Sequence, residues 1–163
     1  MARAGLESAV TLSVFDRLVD HEARNSREMP LTRGQSVRLL KEAVRRDLEW
    51  LLNTRLIAVP PDVRLREVHR SVYVYGLPDF SAYSLSNPDD QARLIRHLQT
   101  AIRTFEPRLA KVRVVPLEVE GANTRVLRFR IDALLLMSPA PEHISFDTTL
   151  QLTNGEYEVA NAG

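Results

Sequence analysis

Thr104-Phe105-Glu106-Pro107-Arg108-Leu109 is the stretch that decides the fold. It joins the best helical pattern in the chain to the first convincing strand. Upstream, Asn87-Pro88-Asp89-Asp90 is a helix start, with proline in the first turn and two carboxylates facing the positive end of the dipole. Leu94, Ile95, Leu98, Ile102 and Phe105 recur at helical spacing and give this helix one apolar face. Pro107 cannot continue the hydrogen-bond ladder and pushes Glu106 out of the helical region. The strand Lys111-Val-Arg-Val-Val115 follows at once. Glu106 and Arg108 thus flank a rigid proline at a helix-to-strand corner. On an exposed corner such a local ion pair adds about 0–1 kcal/mol, so alanine at either position is expected to leave the fold nearly intact.

Before the corner, Thr32-Arg-Gly-Gln35 matches a capping box with glutamine in the acidic position. The helix it opens should run to about Asn53, with Val37, Leu40, Val44, Leu48 and Leu51 on one face. Arg38, Glu42, Arg45, Arg46 and Glu49 take the other side, and Trp50 reads as an edge residue of the core. Pro60-Pro61 marks a loop, and Val72-Tyr-Val-Tyr75 suggests a short strand. Towards the N-terminus, Val10, Val14 and Leu18, with Phe15 on a neighbouring row, predict a short amphipathic helix within Leu6 to Val19. A polar linker, His21 to Gly34, follows it.

Beyond the corner the pattern is β. Pro116 implies an edge strand or a bulge. Gly121-Ala-Asn-Thr124 reads as a hairpin turn, and Leu127, Phe129, Ile131, Ala133 and Leu135 alternate with Arg128, Arg130 and Asp132. Phe146, Thr148, Leu150 and Leu152 form another alternating strand, and Asn154-Gly155 turns it into Glu156-Tyr-Glu-Val159. Helices first and strands last predict an α+β fold: two main amphipathic helices on a small, mostly antiparallel sheet, with an N-terminal helical arm. The expected division is an arm over residues 1–31 and one α+β domain over 32–163.

The 163 residues suit a sizeable core, and 44% hydrophobic with 26% charged is ordinary globular composition. Net charge is +1, but Ile131 to Gly163 carries five acids and no Lys or Arg. The first 130 residues therefore hold 22 basic and 16 acidic residues, or +6. Such polarity suits oriented docking better than coating of nucleic acid. The Arg38 to Arg46 face is interleaved with acids and lacks stacking aromatics, so nucleic acid is the weaker reading. There is no cysteine, which excludes disulfides and thiol chemistry. The N-terminus leads into no apolar run of signal-peptide length, and Ala133-Leu-Leu-Leu-Met137 is too short to span a bilayer. These features predict a cytoplasmic protein without membrane insertion.

His21, His69, His97 and His143 are scattered without ligand spacing, and the six glycines form no phosphate loop. No metal or cofactor is expected. A hydrolase built on Glu106 would need an apolar pocket and a second carboxylate at a set separation, and Arg108 pushes the wrong way. No catalytic residue is assigned, and the chain reads as a structural protein rather than an enzyme. Without a long apolar stripe left over once the two helices face the sheet, it is expected to be a monomer in isolation.

Five stretches go further when taken together. They are Leu12-Ser-Val-Phe-Asp-Arg-Leu18, Arg46-Asp-Leu-Glu-Trp-Leu-Leu-Asn-Thr-Arg55, Tyr75-Gly-Leu-Pro-Asp-Phe-Ser81, Phe105-Glu-Pro-Arg108 and Gly155-Glu-Tyr-Glu-Val159. In this order they resemble the TssE family, the small baseplate subunits of the bacterial type VI secretion system. That family is similar to a wedge protein of contractile-tailed phage baseplates with a historical "lysozyme-like" label. The resemblance implies a baseplate wedge with TssF, TssG and TssK at the cytoplasmic side of the inner membrane. It also implies a contact with the sheath subunits TssB and TssC through Glu106, Pro107 and Arg108. The N-terminal helix would dock on the wedge through Leu12, Phe15 and Leu18. A peptidoglycan or glycoside hydrolase is the alternative, suggested only by the label.

Overall fold

The structure is a computed structural model that describes residues 13–19, 32–57, 59–80, 82–84, 87–117, 126–151 and 155–162. The chain divides into two compact units, Met1–Val44 and Arg45–Gly163. Helices α1 (Val14–Leu18), α2 (Arg33–Asn53) and α3 (Pro88–Phe105) precede strands β1 (Leu109–Leu117), β2 (Val126–Leu135), β3 (Glu142–Gln151) and β4 (Glu156–Asn161). The expected α+β class is the observed one: a four-stranded antiparallel sheet in the order β1-β2-β3-β4, two main helices and an N-terminal helical segment.

In the first unit, Ser13 caps α1 by accepting from the Asp16 N–H at 3.1 Å. Val14, Phe15 and Leu18 are exposed. The first turn of α2 forms the predicted capping box. The Thr32 N–H donates to Gln35 Oε1 at 2.9 Å, and the Gln35 N–H donates to Thr32 Oγ1 at 3.3 Å. The expected start of α1 at Leu6, its Val10, Leu12 and the linker up to Leu31 lie outside the described residues, as do the Gly121–Thr124 turn, Leu152 and Asn154.

In the second unit, alternation places Leu127, Phe129, Ile131, Ala133 and Leu135 of β2 inward, with Ile144, Phe146 and Leu150 of β3 and Tyr157 and Val159 of β4. Helix α3 packs on β1 and buries Leu94, Leu98, Ala101 and Ile102, while α2 buries Leu48, Leu51 and Leu52. Strand β1 keeps its inward phase by a bulge. Lys111 takes φ of 52°, so Leu109 and Val112 both face in although they stand three positions apart. Pro116 lies on an edge strand, where proline is tolerated.

Helical side chains cap both sheet edges. Arg103 Nη2 donates to the Val112 carbonyl at 2.8 Å on β1. On β4, Arg45 Nη1 donates to the Val159 carbonyl at 3.2 Å. Asn53 also takes Tyr157 like a neighbouring strand, donating to its carbonyl and accepting its N–H, both at 2.9 Å. Unpaired edge groups are thereby withheld from other strands.

One expected strand is absent. Val72–Val74 is a 3₁₀ turn, because Ser71 Oγ accepts the Tyr73 N–H at 3.2 Å and the Tyr75 N–H returns to the Val72 carbonyl. Val72 is 88% exposed, so the β-branched alternation there buries nothing.

Tyr157 is buried and its hydroxyl has no hydrogen-bond partner among the described residues. Burial pushes its phenol well above the usual tyrosine range. The folded state thus disfavours the phenolate, so this contribution is fully present below the unfolded value of about 10 and is lost as pH rises above it. Tyr157→Phe is expected to gain about 1 kcal/mol at pH 7 by removing an unpaired polar atom, and more above pH about 10. Urea denaturation at the two pH values measures this; a loss of stability at pH 7 would mean that the hydroxyl is satisfied.

Candidate functional site

The corner is built by the end of α3. The Glu106 N–H caps the helix on the Ile102 carbonyl at 2.8 Å, and the Leu109 N–H returns to the Glu106 carbonyl at 3.1 Å, closing a turn over Pro107 and Arg108. The Leu136 N–H then donates to the Arg108 carbonyl at 2.8 Å. Pro107 is exposed, but Glu106 is only 4% exposed. The expectation of two charges on an exposed corner is therefore wrong for the acid, which points into the protein.

What admits a carboxylate there is Arg108. Its Nε donates to Glu106 Oε1 at 2.6 Å and its Nη2 donates to Glu106 Oε2, while the Arg108 backbone N–H adds a third bond to Oε1 at 3.2 Å. Arg108 Nη2 also donates to Asp47 Oδ2 at 2.6 Å, reaching across to α2. Asp47 Oδ1 accepts from Arg46 Nε at 2.9 Å and Nη2 at 2.8 Å. Two acids and two bases thus form one chain of bonds, Arg46–Asp47–Arg108–Glu106, with formal charge zero. Burial alone would disfavour the Arg108 cation, but the hydrogen bonds and fields of Glu106 and Asp47 outweigh it and hold its pKa above the ordinary arginine value.

Aromatic rings stand beside the chain of charges. Tyr75 meets Phe105 edge-on with ring centres 5.2 Å apart. Burial, then the negative fields of Asp47 and Glu106, raise the Tyr75 pKa. The segment that carries Tyr75 is zipped to the end of α2: the Leu77 N–H donates to the Thr54 carbonyl and the Leu56 N–H to the Leu77 carbonyl, both at 2.8 Å. Trp50 is 53% exposed rather than a core-edge residue, and the Arg46 guanidinium carbon lies 5.0 Å from its ring centre.

The structure therefore brings together parts of three stretches singled out in the sequence: Arg46 to Arg55, Tyr75 to Phe80 and Phe105 to Arg108. Asp47 and Tyr75 were not assigned a role from sequence. Arg46-Asp47 on an alternating-charge face reads as solvated, and nothing local points to a residue 61 positions away. Phe15 and Leu18 belong to the other unit, and Leu12 is outside the described residues.

As chemistry the arrangement holds a cation in place. Both Glu106 oxygens accept from Arg108, and Asp47 accepts from two guanidiniums. A groove of about 530 Å³ lies elsewhere, lined by Glu49, Asn53, Arg55, Gln151, Gly155, Glu156, Tyr157 and Glu158, and neither Glu106 nor Asp47 opens into it. Among the described residues no helix is long and apolar enough to cross a membrane.

A family model described as baseplate wedge protein gp25 matches residues 38–140, more than half of the chain. The match takes in the whole charge network, Tyr75 and the corner. No curated protein matches the sequence.

Proposed function

Because the chain belongs to the baseplate wedge protein gp25 family, we propose that it serves as the TssE subunit of a type VI secretion baseplate, joining the wedge to the contractile sheath. The observation that carries this reading is the corner itself. Arg108 is held by Glu106 and Asp47, yet its side chain keeps some surface beside exposed Pro107. A cation fixed before its partner arrives loses little freedom on binding, which favours specific docking. In this reading Glu106, Pro107 and Arg108 form the sheath contact, with Arg108 the group that touches TssB or TssC and Glu106 the group that aims it.

The wedge side is assigned to residues 1–31, with Leu12, Phe15 and Leu18 as anchors on TssF, TssG or TssK and residues 32–163 as the body. Support comes from Phe15 at 51% and Leu18 at 77% exposed on one short helix. The protein acts as a monomeric structural part on the cytoplasmic side of the membrane, without enzymatic activity.

Arg108→Ala would leave Glu106 buried without its cation, so it tests folding and docking at once. Arg108→Lys retains the charge but not the fork. It is expected to keep stability within about 1 kcal/mol of the parent and to lose most fluorescent sheaths in cells, with sheath-subunit affinity down by about tenfold or more. Copurification with the wedge and sheath subunits is expected for the parent protein. Normal sheath assembly in both Arg108→Lys and Arg108→Gln would refute the assignment.

A further inference from the structure

We infer that Asp47 is a positioning residue for the Arg108 contact, so that the docking determinant extends from the corner onto α2. The inference rests on the docking role proposed for Arg108, and it comes from how the two side chains share their atoms. Asp47 gives one oxygen to each of two cations: Oδ1 to Arg46 and Oδ2 to Arg108. Arg108 spends three of its five N–H donors on acids, Nε and one Nη2 hydrogen on Glu106 and the other Nη2 hydrogen on Asp47. Both Nη1 hydrogens make no bond within the described residues, and the side chain is 23% exposed. Nη1 is therefore the edge offered to a partner acceptor.

Glu106 alone cannot fix that edge. It lies two residues from Arg108 on the same turn, so the bidentate pair between them ties Arg108 to its own corner but to no second element. Asp47 supplies the anchor from a separate element. It also stands between two guanidiniums. Replaced by a neutral amide of the same shape, it would leave Arg46 and Arg108 facing each other without the intervening anion, and their repulsion would disturb the set of the Arg108 fork. Arg46 donates two hydrogen bonds to Asp47 Oδ1 and lies over Trp50; with the anion gone Arg108 keeps its bonds to Glu106 but loses its tie to α2.

The test is a double-mutant cycle with the full chain and purified TssB–TssC sheath subunits, read well below the melting transition of every variant. Asp47→Asn is expected to weaken binding by about tenfold in the parent background and by less than about twofold in Arg108→Lys, since it acts through the guanidinium. A purely structural role would give the same loss in both backgrounds, and that result would overturn the inference. So would unchanged binding by Asp47→Asn when Arg108→Lys binds poorly. The Arg108 side-chain Nε–H signal in NMR supplies a readout that needs no partner. Its solvent exchange is expected to speed up by about tenfold in Asp47→Asn, as the guanidinium loses its anchor. If Arg108→Lys and Arg108→Gln both bind normally, the docking role falls, and the inference falls with it. Unchanged exchange at Arg108 in Asp47→Asn would sink the positioning role even where the docking role stands.

Discussion

Glu106→Ala should unfold at far lower urea than the parent protein, with a loss of about 3–5 kcal/mol. The acid is 4% exposed, and Arg108 donates to both of its oxygens. Removing it leaves a half-buried Arg108 side chain with Asp47 as its remaining anion among the described residues, and a cavity where the carboxylate was. It also deletes the acceptor of the Arg108 backbone N–H, which fixes the turn after Pro107. Against a typical total of about 5–15 kcal/mol, such a loss removes a large share of the stability. Glu106→Gln keeps the shape and one acceptor and should lose about half as much. Urea denaturation followed by circular dichroism measures both. An alanine variant within about 1 kcal/mol of the parent would show that the corner does not depend on this pair. The expectation from sequence was the opposite, because an exposed corner makes a charge expendable. A missing sheath in Glu106→Ala cells therefore cannot by itself report on docking, and Arg108→Lys separates the two effects.

The helices were legible because their signals are local. Thr32 to Gln35 and Asn87 to Asp90 are complete starts, and Pro107 is a complete stop; the bonds at each site form as those residues require. The strands were legible by alternation, which needs only one buried face. What was hidden depends on partners distant in sequence. Glu106 reads as exposed because carboxylates usually are, and only Arg108, itself steadied by the distant Asp47, makes its burial tolerable. Trp50 sits beside an apolar stripe and was assigned to the core edge, yet a large ring one step off the stripe can cover a neighbouring arginine instead. Val72 to Val74 has the composition of a strand, but strand composition describes a surface that fits between neighbours, and Ser71 closes a turn there first. The bulge at Lys111 was invisible because lysine does not announce a positive φ as glycine does. Only the three-residue step from Leu109 to Val112, both buried, betrays it.

Gly76→Ala should be as damaging as the loss of Glu106, for a reason with no electrostatics in it. Gly76 holds φ of 111°, where a side chain is strained whatever the space around it. The added Cβ would also stand 2.5 Å from the Thr54 carbonyl oxygen and 2.9 Å from its carbon. That carbonyl cannot step aside cheaply, because it accepts the Leu77 N–H at 2.8 Å and so closes the zipper between the end of α2 and the segment after Tyr75. Strain of about 1–3 kcal/mol and overpacking of about 1–3 kcal/mol predict a combined loss of about 3–5 kcal/mol. If the chain instead relieves the clash by opening the zipper, Tyr75 moves away from Phe105 and from the field of Asp47 and Glu106. The raised Tyr75 phenol should then titrate closer to the ordinary tyrosine range, which ultraviolet absorbance can follow in alkali. Salt separates this variant from Glu106→Ala. Raising the ionic strength should leave the Gly76→Ala deficit unchanged, because a steric clash is not screened. The Glu106→Ala deficit should respond, since there a partly exposed cation has lost its partner and salt shields what remains. A Gly76→Ala protein as stable as the parent would mean that Thr54 and Leu77 are not held together as tightly as their bonds imply, and the frame around Arg108 would then be loose.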